Sequence, residues 1–300
     1  MKVSKYLEIF RALSYPKLFS GECLDALKNI QNKYGELDSS CVLYEIVLNK
    51  PVFTADFSCR LYDEILKYYW LEFDFEIYSS LKNIAPCVFL EAVSNKSFPI
   101  DDEQKMHKFF GREKFEIVKQ PLAGLTKLLE DNGTRLLNLG NLDCRGKENF
   151  ESVRVETRVR TSRRVIEILK ALSYSGDLSL IEKTLSEIEP YTLQNLFTVA
   201  FELFSDRISD KIGVYFFPFT AVKDTRDLMK FLVEKNLCLP EKAEEIIKWR
   251  RDKIPEGLCI QDINHFKIGF EKNKILSFKA YLRHSDTFLH FRHKRFLQNN

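Results

Sequence analysis

The residues best suited to chemistry are cations that recur at every second position of one short segment. Within 152–160, four charged residues alternate with valines and a threonine, namely Arg154, Glu156, Arg158 and Arg160. Alternate residues of a β-strand point to opposite faces of a sheet. The charged side chains therefore share one face. A row of guanidinium groups could bind an oxygen-rich anion, because each guanidinium presents a bidentate fork of donors.

Five other segments divide polar side chains from apolar ones in the same way. Their polar faces carry Glu45; Asp56, Ser58, Arg60 and Tyr62; Asn141, Asp143 and Arg145; Lys211, Gly213 and Tyr215; and Ser277, Lys279, Tyr281 and Arg283. Two interpretations are open. The polar face could meet solvent, as in half-buried antiparallel sheets, or it could line the lumen of a barrel around a ligand. Arginines and tyrosines favour the lumen, as does a glycine inside a strand, where a missing side chain indicates a close approach.

These faces belong to recurring hairpins that are separated by helices. The predicted strands are Cys41–Asn49 with Thr54–Tyr62, Cys87–Val93, Leu136–Arg145 with Ser152–Arg160, Phe197–Phe204 with Lys211–Phe217, and Asn264–Phe270 with Ile275–Arg283. The predicted helices are two within Ser4–Tyr34, then Asp63–Leu81, Asp101–Phe110, Arg163–Ser173 with Ser162 as its cap, Leu178–Glu189, Ala221–Lys235 and Glu241–Arg251. This order suits an open antiparallel sheet or a closed, helix-wrapped barrel.

Composition narrows the class of protein. An apolar content of 45% in 300 residues is enough for a sizeable core. The 46 basic and 43 acidic residues nearly cancel, and the basic cluster His290–Arg295 is typical of a solvated tail, so we expect no nucleic-acid partner. No segment is long and apolar enough for a membrane span or a signal peptide. The seven cysteines lack zinc-ligand spacing and indicate reduced thiols in a cytoplasmic protein.

One family has a similar order of motifs. Gly140–Arg145 followed by Ser152–Val159 resembles the Gly-x-Asp-x-Arg stretch and the Ser-x-Lys/Arg-x-x-x-Arg strand of the ABBA prenyltransferases, in particular the cyanobactin-type peptide prenyltransferases. Weaker matches are Arg60, Lys211–Tyr215 and Lys279–Tyr281, so that the resemblance runs from about residue 40 to residue 283. The sequence departs from the family pattern at two places. One extra residue separates Asp143 from the glycine before it, and the turn before Lys211 differs in length.

The resemblance implies a fold and an activity. The fold would be α+β, with αββα repeats that form a ten-strand antiparallel barrel inside a ring of helices, as a single domain over 1–300. The activity would be the transfer of a dimethylallyl or geranyl group from an allylic diphosphate to a side chain of a cyclic ribosomal peptide, in natural product biosynthesis. The protein would act as a monomer or homodimer.

The resemblance also suggests roles for the luminal residues. A cationic clamp would hold the diphosphate through Arg60, Arg154, Arg158, Lys211 and Lys279. Tyrosine rings would shield the allylic cation, with Tyr215 and Tyr281 first and Tyr62 third; their alternative role is packing. Glu45 would be the general base, or else only an ion-pair partner of Arg60. Asp143 and Glu202 would orient the acceptor, or else only balance the clamp.

Magnesium is expected only as a companion of the diphosphate, because Mg²⁺ binds phosphate oxygens readily. Asp101–Asp102 is the one adjacent aspartate pair and is not a DDxxD motif. Two other functions remain open. One is an ABBA prenyltransferase of small aromatic substrates, although the compact length favours the wide mouth that a macrocyclic peptide needs. The other is a non-catalytic α/β protein that binds an anion or a partner.

Overall fold

The computed structural model describes residues 1–80, 84–92, 100–143, 152–252, 254 and 259–286. The described helices are α1 (Val3–Ala12), α2 (Gly21–Tyr34), α3 (Phe75–Ser79), α4 (Glu103–Phe110), α5 (Arg112–Asp131), α6 (Ser162–Ala171), α7 (Leu178–Ile188), α8 (Val222–Glu234) and α9 (Pro240–Arg251). The described strands are β1 (Cys41–Val47), β2 (Ala55–Asp63), β3 (Lys67–Phe73), β4 (Cys87–Glu91), β5 (Leu136–Asn141), β6 (Val153–Arg160), β7 (Thr192–Leu203), β8 (Ile208–Pro218), β9 (Ile260–Glu271) and β10 (Lys274–Ser285).

The ten strands form one closed antiparallel barrel in sequence order. Each strand pairs with its neighbours along the chain, and β1 closes the barrel by pairing with β10 from Cys41↔Ser285 to Val47↔Lys279. Closure leaves none of these strands with an unpaired edge. The expectation of a ten-strand barrel surrounded by helices is confirmed.

The apolar face of each strand points outward and packs against the helices. On β1 the outward residue Tyr44 is fully buried, and its ring stacks on Phe10 of α1 with 3.8 Å between centroids. Trp249 of α9 joins this layer and donates a hydrogen bond from Nε1 to the backbone oxygen of Asp262. The main hydrophobic core therefore lies between the barrel and its helices, and the polar faces are left for the lumen.

Inside the barrel a small group of apolar and aromatic residues is separate from the main core. It consists of Cys41, Leu43, Ala200, Tyr215 and Tyr281, with Trp70 packed against it. These residues come from β1, β3, β7, β8 and β10, so the group spans the lumen. The lumen thus combines charged side chains with a limited apolar surface.

The prediction of a helix over Asp63–Leu81 is wrong. This segment forms β3 and the short helix α3, and it turns back from β2 at Lys67, whose φ of 65° is left-handed. Aromatic residues pack well on a pleated surface, which explains why a segment rich in tyrosine and tryptophan forms a strand.

Two helices also differ from the prediction. Helix α5 was not predicted. The cap of α6 is Thr161 instead of Ser162, because the Thr161 side chain accepts a hydrogen bond from the backbone nitrogen of Arg164 at 3.4 Å.

Five cysteines are free and buried, as expected, namely Cys23, Cys41, Cys59, Cys238 and Cys259. Cys87 departs from the expectation of reduced thiols, because it is disulfide-bonded. None of the described helices combines the length and apolarity that a membrane crossing requires. The predicted turn at 146–149, Arg145 and the basic tail lie outside the described residues.

Candidate active site

Three basic side chains from different strands converge inside the barrel, namely Arg154 of β6, Lys267 of β9 and Lys279 of β10. Gly213 of β8 lies between the first two. A Cβ atom added to this glycine would lie 2.6 Å from Cε of Lys267 and 3.5 Å from Nη2 of Arg154. The prediction of a close approach at Gly213 is therefore confirmed, and the approaching groups are two cationic side chains of the chain itself.

Lys267 is the central cation of this group, and the sequence analysis missed it. Its Nζ atom lies 5.1 Å from the centroid of the Tyr215 ring and donates a hydrogen bond to the hydroxyl of Tyr281 at 3.5 Å. Burial, together with the charges of Arg154 and Lys279, lowers the pKa of Lys267 to about 8. The sequence does contain a pattern that could have identified this lysine. His265, Lys267 and Gly269 alternate with apolar residues, which places Lys267 on the polar face of its strand.

Glu45 is bound on the luminal side of β1 by two residues of β10. Its carboxylate accepts hydrogen bonds from Lys279 Nζ and from the hydroxyl of Tyr281, and only 8% of the residue is exposed. Burial opposes the positive charge of Lys279, but the neighbouring carboxylates Glu45 and Asp56 outweigh this effect and raise the pKa of Lys279. The ion-pair partner of Glu45 is thus Lys279, and the alternative pairing with Arg60 is wrong.

Asp56 is a second luminal carboxyl that the sequence analysis did not single out. It lies opposite Glu45 across the β1–β2 pair and accepts a hydrogen bond from the backbone nitrogen of Phe75 at 2.8 Å. Burial and the charge of Glu45 raise the pKa of Asp56 to about 7. Two carboxyl groups therefore lie side by side in the lumen, and the pKa of one of them, Asp56, is raised.

Two of the three predicted shield tyrosines lie together. The ring centroids of Tyr215 and Tyr281 are 5.9 Å apart in an edge-to-face arrangement, and His265 stacks on Tyr281 at 4.0 Å. Tyr62 lies elsewhere. It is 58% exposed, packs against Tyr68 and lines a pocket of about 390 Å³ at the end of the barrel where β1 begins.

The predicted clamp arginines differ in how much of their charge is neutralised. Arg60 donates two hydrogen bonds to Glu91, from Nε at 2.8 Å and from Nη2 at 2.9 Å. Arg158 donates one to the hydroxyl of Thr198 at 3.4 Å, and its guanidinium lies 5.3 Å from the centroid of the Phe217 ring. Arg60 is therefore held by a carboxylate, whereas these two contacts of Arg158 are with neutral groups, and the charges of Glu156 and Glu91 act on it without a hydrogen bond.

Besides Tyr62, two more residues of the predicted site lie outside the central group. The side chain of Lys211 is 66% exposed and pairs with Glu271 at 3.4 Å, near the opposite end of the barrel from the pocket. Asp143 was expected on the luminal face, and this placement is wrong. It accepts a hydrogen bond at 2.5 Å from Lys114 of helix α5, whose side chain is completely buried.

Glu202 lies on the luminal face of β7, directly opposite Arg154 of β6. Its carboxylate charge acts on Arg154. Glu202 therefore lies beside the clamp and away from the end of the barrel where the pocket opens. This placement fits the alternative role, in which Glu202 balances the charge of the clamp.

A further luminal network was not predicted. Arg283 of β10 donates to Asp262 at 2.9 Å and to the side-chain oxygen of Asn264 at 3.1 Å. Arg250 of α9 forms an ion pair with the same Asp262. These contacts join β9, β10 and α9 beside His265. The only sequence signal was the position of Arg283 on the polar face of its strand.

The charged groups do not form a metal site by themselves. Within the ranges that the structure describes, no group of three or more His, Cys, Asp and Glu side chains could hold a metal ion. Glu45 in particular is already engaged by Lys279 and Tyr281.

Comparison with known proteins gives a structural match. No protein-family model matches the sequence, and no curated protein matches it either. Among solved structures, the chain is similar to the crystal structure of PriB in a binary complex with the product diphosphate. The TM-score is 0.50 at 8% sequence identity, over 94% of this chain and 96% of that chain. The chain therefore has the ABBA prenyltransferase barrel fold.

Proposed function

We propose that this protein transfers an isoprenyl group from an allylic diphosphate to an acceptor in the barrel lumen. The observation that carries the proposal is the convergence of Arg154, Lys267 and Lys279 beside two tyrosine rings, around a strand position that has no side chain. Lys279 is paired with Glu45, but the charges of Arg154 and Lys279 still lower the pKa of Lys267, and a bound anion would relieve this repulsion. A diphosphate is an anion of suitable charge and size.

The chemistry requires the same groups. When the allylic C–O bond ionises, negative charge grows on the leaving diphosphate, and fixed cationic donors stabilise it. Arg154, Lys267 and Lys279 would bind the diphosphate oxygens, and Arg158 would add a fourth donor. The allylic cation would remain over the faces of Tyr215 and Tyr281, which are attractive to a cation and exclude water.

The acceptor must lose a proton as its new bond forms. Glu45 is the proposed base, since it lies beside Tyr281 and Lys279 at the edge of the cationic group. Asp56, with its pKa raised to about 7, would take the proton onward across the β1–β2 pair. Glu202 would balance the charge of Arg154.

We further propose that the acceptor is a side chain of a cyclic peptide, which is the acceptor that the family resemblance implies. The proposed donor is dimethylallyl or geranyl diphosphate. The pocket of about 390 Å³ lined by Arg60, Tyr62 and Tyr68 supports a peptide, because residues flanking the modified side chain could bind there. Mg²⁺ would arrive with the diphosphate oxygens.

The test is a transfer assay with a matched pair of arginine variants. Wild-type protein is incubated with dimethylallyl or geranyl diphosphate and a panel of cyclic peptides, and products are identified by the mass of the added C5 or C10 group. Arg154→Met should lower turnover by about 100-fold or more, because one preorganised donor is lost. Arg163→Met removes the same charge from an 85% exposed side chain on α6 and should leave turnover unchanged.

Two results would contradict the proposal. One is the absence of product from every combination of donor and peptide with folded wild-type protein. The other is an equal rate for the Arg154 and Arg163 variants, since the luminal cation would then have no part in the reaction.

A further inference from the structure

Lys279 takes part in two arrangements inside the barrel. Its Nζ atom donates a hydrogen bond to Oε1 of Glu45, which makes it the ion-pair partner of that carboxylate. It also lies directly opposite Lys267 across the β9–β10 pair, and its charge contributes to lowering the pKa of Lys267. The same ammonium group therefore belongs both to an ion pair and to the cationic group.

The register of the strands places Lys279 between these two neighbours. Val47 of β1 is the residue that pairs with Lys279, and Glu45 is two positions before it on the same strand. Long side chains on one face of a sheet can reach both the directly opposite residue and the diagonal one. Rotation about the side-chain bonds of Lys279 can thus carry its ammonium from Glu45 to a position beside Lys267.

The charges decide which of the two positions is favoured. Like charges that lie directly opposite each other on a sheet repel, so Lys267 disfavours the position beside itself. The carboxylates Glu45 and Asp56 attract the ammonium strongly enough to outweigh its burial. A polyvalent anion beside Lys267 would reverse this preference, because it attracts both lysines and repels the Glu45 carboxylate.

The two members of the ion pair differ in how accessible they are from the lumen. The side chain of Lys279 is 23% exposed, whereas that of Glu45 is 8% exposed. Both oxygens of Glu45 accept hydrogen bonds, Oε1 from Lys279 and Oε2 from the hydroxyl of Tyr281. An anion can therefore reach the ammonium, whereas the carboxylate is largely covered while Lys279 is bound to it.

We propose that Lys279 exchanges partners during the reaction, being bound to Glu45 until the diphosphate binds and then joining Lys267 on the diphosphate oxygens. This inference rests on the proposed prenyl transfer. The exchange uncovers Glu45, and a carboxylate that loses its cationic partner binds a proton more tightly. Tyr281 still holds the other oxygen and keeps the carboxylate in place. Because the base forms only after the donor has bound, the donor binds before the acceptor.

Calorimetry with inorganic pyrophosphate tests the exchange, because Glu45 and the anion compete for one ammonium group. Glu45→Gln keeps the shape of the side chain and frees Lys279, so the affinity should rise by about fivefold to fiftyfold. In a Lys279→Met background, the same substitution should change the affinity by less than about twofold. This double-mutant cycle responds to the competition for Lys279 and not to the stability of either variant.

Glu156→Gln is the matched control, since it also removes one luminal carboxylate. The charge of Glu156 acts on Arg154, so its removal should change the affinity by the same factor with Lys279 as without it. Circular dichroism checks that each variant is folded. If Lys279→Met does not fold, Lys279→Gln replaces it in the cycle, because it removes the charge and keeps a donor for Glu45.

Two results would overturn the inference while leaving the proposed function intact. One is an affinity that does not rise in Glu45→Gln. The other is an equal rise with and without Lys279, because the effect of Glu45 would then be general repulsion of the anion. If wild type binds pyrophosphate but transfers no prenyl group, the proposed function fails, and the cycle still decides whether Lys279 exchanges partners. If wild type does not bind pyrophosphate, both fail.

Discussion

At the scale of single residues, the luminal cations compete for protonation because they lie close together. Lys267 is charged below about pH 8 and neutral above it, since burial and the charges of Arg154 and Lys279 lower its pKa. A bound anion favours the charged form, so the pKa of Lys267 is higher in the complex than in the free protein. Anion binding is therefore coupled to proton uptake at this lysine.

This coupling predicts a pH dependence for pyrophosphate binding. Below about pH 8 the affinity should be independent of Lys267 ionisation, and above it the affinity should fall by up to about tenfold per pH unit. Lys267→Arg stays charged throughout. The ratio of the two affinities, measured by calorimetry from about pH 7 to about pH 10, cancels the ionisation of pyrophosphate itself. A ratio that stays constant would mean that Lys267 does not contact the anion.

At the scale of elements, helix α5 is fastened to the end of β5 by a buried lysine. Lys114 donates to the side-chain oxygen of Asn141 at 3.0 Å and to Asp143 at 2.5 Å. Burial lowers the pKa of Lys114, so the ion pair with Asp143 is what favours its charged form. Asp143 thus acts between a helix and a strand, on the side of the strand that faces away from the lumen.

Asp143→Ala should therefore reduce stability without reducing transfer. The expected loss in free energy of unfolding is about 1–3 kcal/mol, at the lower end because the Asp143 side chain is 38% exposed and Asn141 still accepts from the lysine. Urea unfolding measures the loss, and Asp143→Asn, which keeps an acceptor oxygen, should lose less. If Asp143→Ala leaves stability unchanged but impairs acceptor binding, the structural role is wrong and Asp143 orients the acceptor, as the sequence suggested.

At the scale of the whole molecule, closure of the barrel joins the two ends of the described chain. Strand β1 pairs with β10, which lies more than 230 residues later, and the link between Lys279 and Glu45 crosses this pairing. Loop-closure entropy opposes a pairing of such long range. That residues 1–300 form a single domain stays a prediction.

A core variant at this junction should unfold the molecule as one unit. Tyr44→Ala removes a fully buried ring that packs on Phe10, and it should reduce the free energy of unfolding by about 3–5 kcal/mol. Tyr62→Ala, on the neighbouring strand but 58% exposed, should change it by less than about 0.5 kcal/mol. Near- and far-ultraviolet circular dichroism should report coincident transitions. Two separate transitions would indicate two folding units.

The sequence by itself determined the two faces of most strands, because side-chain direction alternates along a strand whatever surrounds it. Arg154, Gly213, Tyr215, Lys279 and Tyr281 could therefore be placed together on a polar face, and the family resemblance supplied the closed barrel. Only the tertiary structure decided the partners. Glu45 binds Lys279 and Arg60 binds Glu91, since these pairings depend on the register of strands distant in sequence. The contact of Asp143 with Lys114 of helix α5 also depends on tertiary structure. Lys267 and His265 lie among the luminal residues because β9 pairs with β8 and β10.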